Sequence, residues 1–277
     1  MLGKIRRTYD AEVGKARGLL TRPLHRGVIE HSRKRPAAGL ASWIAHYWSV
    51  SWDLPAGETY LAETLPDSSV HLTFEGRRCV IRGVHTRKFS RSLRGRSQVL
   101  GVKFAPGKFR PFMRDPVSAL ANRVVPARRI FGPAIEKLRR AVFAARNDNA
   151  KRTACDVFFR ALLPAADPTA DIAAKLVRQI LHNPGIRTVN DLAVRSGISK
   201  RSLQRIFREY VGISPKWVIR RYRLHEVVQR IHGGESPDWA QLALDLGYFD
   251  QAHLINDFRS TVGFAPRAYA KLISRGL

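Results

Sequence analysis

The sequence predicts two domains of different class. The first is an α+β domain, a small β meander or barrel-like sheet followed by helices; the second is all-α, with two helix-turn-helix units joined by a linker helix. Three observations predict this. Apolar residues alternate with polar ones in "ASWIAHYWSVSW", "SSVHLTF", "CVIRGV" and "SQVLGVKF", as half-buried strands require. After "FAPGKF" the apolar spacing lengthens to that of helices. Beyond "LLPAADPTAD", with its two prolines and small residues, a unit of helix, glycine turn and helix occurs twice.

The elements follow in order. Residues 1–40, with "RPLHRG" and "HSRKRPAAG", carry scattered cations and little periodicity, which suggests a mobile arm or loose lead-in. Residues 41–165 form the α+β domain, read as sensory or oligomerising. Its first strand places Ile44, Trp48, Val50 and Trp52 on one face, and "LPDSS", "EGRR" and "RGRS" supply turns. "DPVSALANRV" opens with Asp then Pro, a helix-start pair, and "GPAIEKLRRAVFAA" aligns Ile135, Leu138, Val142 and Phe143 along one stripe. A third stripe runs through Val157, Phe158, Ala161 and Leu162. The proline-containing break near residue 166 separates this part from the helical residues 166–277.

In the second domain "VNDLAVRSG" matches "WAQLALDLG" at an offset of 50, pairing Leu192 with Leu242 and Gly197 with Gly247. Past each glycine the offset is 51, pairing Leu203 with Leu254, Phe207 with Phe258 and Pro215 with Pro266, so one inserted residue sits at the second turn. Thr188 with Asp191 reads as the cap of the first unit, and Ser236 before Pro237 as that of the second. Ser199 and Asp250 read as caps of the two second helices. The joining "SPKWVIRRYRLHEVVQRIHGG" reads as one helix from Pro215 to the stop at Gly233 and Gly234, with Trp217, Val218, Tyr222, Leu224 and Val228 packing on both units.

At 100° per residue, Leu203, Ile206, Phe207 and Tyr210 share one arc, while Arg201, Gln204, Arg205 and Arg208 share the opposite one. The apolar arc must pack inward. The other then faces out, where Arg can bind guanine and Gln adenine through two hydrogen bonds each in a major groove. Ser199, Lys200 and Ser202 open the same helix. The second unit offers Ala252, Ile255, Asn256 and Arg259, flanked by Gln251 and His253. Unit one is therefore expected to read bases and unit two mainly to position, on double-stranded DNA.

Charge agrees with that partner. Of the 277 residues, 49 are Lys or Arg against 22 Asp or Glu, and a pI near 11.3 favours a polyanion, nucleic acid first and anionic membrane second. The surplus is uneven, +20 in residues 1–165 and +7 in 166–277, so the second domain must act through the placement of a few cations. No run of eighteen apolar residues occurs and "MLGKIRRTYD" lacks a signal-peptide core, which leads us to expect a cytoplasmic protein without membrane partners. Cys79 and Cys155 are too few for a disulfide framework and are expected to be free thiols. Phosphate-loop, G-x-S-x-G, G-x-G-x-x-G and H-E-x-x-H motifs are all missing. We therefore expect no catalytic residues, no metal, no cofactor and no enzyme activity.

Residues 170–272 resemble the DNA-binding domain of the AraC/XylS family of bacterial transcription regulators. The resemblance rests on "DLAVRSGISKRSLQRIFREYVGISPKWV", on "QLALDLGYFDQAHLINDFRSTVGFAPRAY", and on the closing signature at Gly263, Phe264, Pro266 and Tyr269. It implies seven helices, a monomeric double helix-turn-helix, activation or repression at promoters, RNA polymerase as a partner and a nucleoid location. Carried over by position, it implies Arg201, Gln204 and Arg205 as base readers in unit one and Gln251, Ala252 and Asn256 in unit two. Asn256 stands where unit two of the family commonly has an arginine. "YWSVSW", "ETLPDSSVHLTFEG" and "LGVKFAPGKFRPFM" are similar to an uncharacterised sensor-like domain found ahead of such DNA readers, which implies no particular ligand.

Trp43, His46, Trp48, Trp52 and His71, with Tyr47, are candidates to line a small-molecule effector pocket; the competing reading is a packed core. His71, Cys79 and His85 fit no metal spacing, and packing explains them better. Arg87, Lys88, Arg91, Arg94 and Arg96 suit either an anion or DNA backbone site or a solvated loop. A signal would act through homodimerisation or the relative placement of the domains. Two rival functions remain: an architectural DNA binder indifferent to sequence, and a DNA-repair fusion, which two cysteines do not equip.

Overall fold

The computed structural model describes residues 5–9, 18–20, 28–235 and 237–274. Ten strands are described: β1 (Ile5–Tyr9), β2 (Leu19–Leu20), β3 (Val28–Lys34), β4 (Ile44–Asp53), β5 (Thr59–Thr64), β6 (His71–Glu75), β7 (Arg78–Arg82), β8 (Phe89–Arg94), β9 (Arg96–Phe104) and β10 (Val124–Pro126). Seven form one sheet in the order β1-β3-β4-β9-β6-β7-β10, antiparallel except for the β1–β3 pair, and β2-β5-β8 form a second. The sheets face one another, with Ile29 and Trp52 of the first packed in one cluster with Leu93 of the second. The order interleaves: β9 runs between β4 and β6.

Parts of the expected lead-in are thus strand. Its pattern is hard to read because Ile29, His31 and Arg33, alternating along β3, all line a cavity between the sheets. A strand that turns side chains such as His31 and Arg33 toward a cavity loses the apolar alternation that a packed core would impose. Residues 1–4, 10–17 and 21–27 of that segment lie outside the described residues.

Helices α1 (Arg128–Phe131), α2 (Ala134–Ala144) and α3 (Asp148–Ala161) cover the other face of the large sheet. Ile135, Leu138 and Val142 of α2 are buried as the spacing predicts, but Phe143 is exposed. The stripe expected on α3 is displaced: Cys155 and Phe159 face the core and Val157 is 61% exposed. What turns the helix is Asp156, whose buried carboxylate accepts from Tyr47 Oη (2.8 Å) and the Ala37 amide (3.1 Å). "DPVSALANRV" forms a short 3₁₀ turn, Val117–Leu120, with no side-chain cap. Both cysteines are free thiols, and burial pushes the Cys79 thiol up to about 12.

Seven further helices are described beyond residue 166: α4 (Pro168–His182), α5 (Val189–Ser196), α6 (Lys200–Ile206), α7 (Pro215–His232), α8 (Trp239–Asp245), α9 (Gln251–Val262) and α10 (Pro266–Ser274). Among the described residues no helix is long and apolar enough to cross a membrane. The two domains touch along α7 and its surroundings. Lys108 ion-pairs with Asp171, Arg110 lies 3.6 Å from Glu209, and the Pro66 carbonyl accepts from Arg221 Nε at 2.8 Å. Gly212 meets the 3₁₀ turn so closely, at φ +90°, that a Cβ there would lie 2.9 Å from Val117 Cγ1.

Candidate nucleic-acid interface

Each helix-turn-helix unit is fixed by local chemistry. In unit one Thr188 and Asp191 form a reciprocal capping box on α5, satisfying amides that would otherwise lack partners. Gly197 ends α5 in the left-handed conformation at φ +68°, and Ser199 caps α6 by accepting from the Ser202 amide. In unit two Asp250 caps α9 by accepting from the His253 amide at 2.7 Å. The start of α8 is capped by Asp238, which accepts from the Ala240 amide at 2.8 Å and the Gln241 amide at 3.3 Å. Ser236, the expected cap, lies outside the described residues, and the shift is physical: Asp238 stands immediately before the first helical residue, where a side-chain oxygen reaches both amides.

The recognition arcs are exposed. Leu203, Ile206 and Phe207 are buried with Leu176, Leu192 and Val218 in one cluster, which leaves Arg201, Gln204, Arg205 and Arg208 on the outside together with Ser199 and Lys200; Ser202 is half-buried. α6 widens into a π turn over Phe207–Val211, where the Gly212 amide reaches the Phe207 carbonyl at 2.7 Å. In unit two Leu254, Phe258 and Val262 are buried. Ala252, His253, Asn256 and Arg259 are exposed, and Gln251 and Ile255 are half-buried.

α7 belongs to both cores: Val218 and Ile219 join the unit-one cluster, whereas Leu224, Val227, Val228 and Ile231 join that of unit two. Its 18 residues span about 27 Å at the α-helical rise. Asp257 ties α9 to this strut. Its side chain is 1% exposed and accepts from Arg220 Nε at 2.8 Å and Tyr248 Oη at 2.8 Å. Replacing Asp257→Ala orphans the buried Tyr248 hydroxyl, while the half-exposed Arg220 can return to water, so the expected loss is about 2–3 kcal/mol. A urea titration of the full chain measures it; an unchanged midpoint would show the pair to be dispensable.

One residue escaped the spacing argument. The insertion that shifts the repeat from 50 to 51 falls at "YFD". There Tyr248 is buried, while Phe249, just before the α9 cap, is 88% exposed. The signal was the insertion itself. The ring thus stands clear of the fold at the start of α9.

In the first domain His46, Trp48, Trp52 and His71 line a cavity of about 280 Å³ between the two sheets. Trp43 does not. It packs against Phe112 in the helix-side core, with Lys108 Nζ 4.9 Å from its ring centre, and Tyr47 and Ile44 are buried there too. A β-bulge between Ile44 and His46 inserts one residue and so reverses which side chains point to each face. Ile44 therefore leaves the face expected for it with Trp48. His46 accepts from Arg33 Nε at 3.1 Å, and burial first, then Lys103 and Arg33, lowers its pKa to about 2. Trp48 Nε1 donates to His71 Nδ1 at 3.1 Å. Among the described residues no cluster of His, Cys, Asp or Glu could hold a metal ion. Arg91 and Arg94 lie on β8 rather than in a loop, with Arg91 paired to Glu75.

Comparisons with known proteins bear on both parts. Residues 192–272 match a family model described as a helix-turn-helix domain, and residues 32–126 match a domain of unknown function, DUF6597. No curated protein matches the chain. Among solved structures, unsaturated fatty acid bound ToxT from Vibrio cholerae strain SCE256 is 14% identical, over 83% of this chain and 96% of its own, at TM-score 0.42. An AraC-type regulator from Chromobacterium violaceum is 20% identical over 38% of this chain and 97% of its own, at TM-score 0.33. The DNA-binding domain of AdpA, solved with a target DNA, is 24% identical over 38% and 92%, at TM-score 0.31. The family match begins in α5 and ends in α10, and so takes in α6, α9 and the strut between them; this part of the chain matches a helix-turn-helix domain, carried behind a stretch that matches a domain of unknown function.

Proposed function

We propose that the protein is a sequence-specific transcription regulator that sets α6 and α9 into neighbouring major-groove segments of promoter DNA. The observation that carries this reading is the outward arc of Arg201, Gln204, Arg205 and Arg208 on a capped helix whose other side is fully packed. The strut α7 is about 27 Å long, and the proposal requires it to set the two helices about 34 Å apart, one helical repeat of DNA. Unit one reads bases; unit two, with Asn256 and Arg259, mainly positions. The cavity between the sheets serves as the effector site, with His46, Trp48, Trp52 and His71 on its wall. RNA polymerase as a partner, a cytoplasmic nucleoid location and homodimerisation through the first domain belong to the same proposal.

Two substitutions test the division of labour. Arg205→Ala should relax preference at one base pair by about 1–3 kcal/mol. Arg259→Ala should weaken all sequences alike and reduce the salt dependence of binding by about one counterion. Selection of bound sites from a random duplex pool, followed by titration at two salt concentrations, separates them. A full-length protein that selects no consensus would support an architectural binder instead.

A further inference from the structure

A second cleft, of about 410 Å³, opens between the two domains. Its walls are the segment 86–88 leading into β8, the middle of α7, and the end of α9 at Ser260 and Thr261. Its charged side chains are Arg87, Lys88, Arg220 and Arg221, against the single carboxylate of Asp257.

These cations differ in how they are held. Arg220 is committed to Asp257, and Lys88 to Glu63 at 2.8 Å and the Val262 carbonyl at 3.0 Å. Arg221 is only 4% exposed; its Nε donates to the Pro66 carbonyl, but among the described residues no acceptor reaches its buried Nη2. Asp257 is already engaged by Arg220 and Tyr248. Burial, the largest influence, lowers Arg221 to about 10, which leaves it cationic at neutral pH. Arg87, exposed on the opposite wall, has no ion pair among the described residues. A buried guanidinium with an unused N–H is an incomplete arrangement, and a tetrahedral oxyanion matches its fork of donors.

We propose that this cleft binds a small, multiply charged oxyanion, phosphate or a phosphate ester, between Arg221 of the DNA-binding domain and Arg87 of the sensor domain. Such a ligand bridges the two domains and favours the docked arrangement seen here, since it binds that state and not a separated one. The site is distinct from the DNA-reading surface. It lies at the C-terminal end of α9, about 13 Å along the helix from Gln251, and does not depend on which bases the recognition helices read.

The test is a titration of full-length protein with inorganic phosphate at constant ionic strength, chloride being the balancing anion, with the thermal midpoint as readout. A saturable rise is expected. Arg87→Glu, which sets a carboxylate in the cleft, should weaken the apparent affinity about tenfold or more, as loss of a charge-assisted contact implies. Arg129→Glu, the same charge change on exposed α1, should not. Arg221→Gln should abolish the response; should that variant fail to fold, Arg87→Glu alone carries the test. Glycerol 3-phosphate in place of phosphate separates an ester from the bare ion, and either order of affinity supports the site. No phosphate response, or an equal one in Arg87→Glu and Arg129→Glu, would overturn it.

Discussion

Lowering the pH from 7.5 to 5 should destabilise the full chain by about 4 kcal/mol, with two histidines responsible. Burial first, then Lys103 and Arg33, lowers His46 to about 2; burial first, then Arg221, lowers His225 to about 4. In the unfolded chain both return to about 6.5. Between that value and the folded ones the unfolded chain binds more protons, so stability is complete above pH 6.5 and is lost as the pH falls toward the folded pKa values. At pH 5 each histidine contributes a loss of about 2 kcal/mol. Asp67, held low by Lys103 and His71 against the opposing effect of its burial, adds its share only below the ordinary carboxylate range. His225 donates from Nε2 to the Pro66 carbonyl at 3.1 Å, and its Nδ1 has no partner among the described residues. His225→Gln keeps a donor for Pro66 while removing a titrating group, and so should flatten about half of the slope. Urea midpoints across pH 7.5 to 5 decide the matter, and a level profile would refute it.

Phe207→Ala should cost unit one about 3–5 kcal/mol, the usual price of emptying a large aromatic site in a core. The ring has no exposed surface and packs in the cluster that holds α4, α5, α6 and the first half of α7 together. It also begins the π turn that leads to Gly212, whose close contact with Val117 joins this unit to the first domain. Collapse around the cavity would therefore shift the end of the recognition helix, and DNA affinity should fall with stability. Val194→Ala, in the same unit but 76% exposed, should change stability by no more than about 0.5 kcal/mol. Urea titrations of both variants make the comparison; equal midpoints would mean that Phe207 does not anchor the unit.

The helix-turn-helix half was legible because its information is local. Caps act on amides two or three residues away, a glycine turn needs one left-handed residue, and a helix stripe repeats every three or four positions. Thr188, Ser199 and Asp250 cap where the spacing put them, and Arg201, Gln204 and Arg205 face out because Leu203, Ile206 and Phe207 must face in. The first domain was read less well. Alternation identifies a strand but not which of its faces meets a cavity and which meets helices. One bulge after Ile44 moved Ile44 to the opposite side from Trp48, and Trp43 went with the helix-side core. Asp156 turned α3 through a partner more than a hundred residues away.

By itself, then, the amino-acid order determined a doubled helix-turn-helix with a cationic arc and a connecting helix, since each of those features is set within a few turns of chain. Only the tertiary structure decided where the cavity lies between the sheets, which aromatic residues reach it, and that Arg221 waits, half satisfied, in a cleft between domains. Those features arise from surfaces brought together across long stretches of sequence, where no local spacing records the partner.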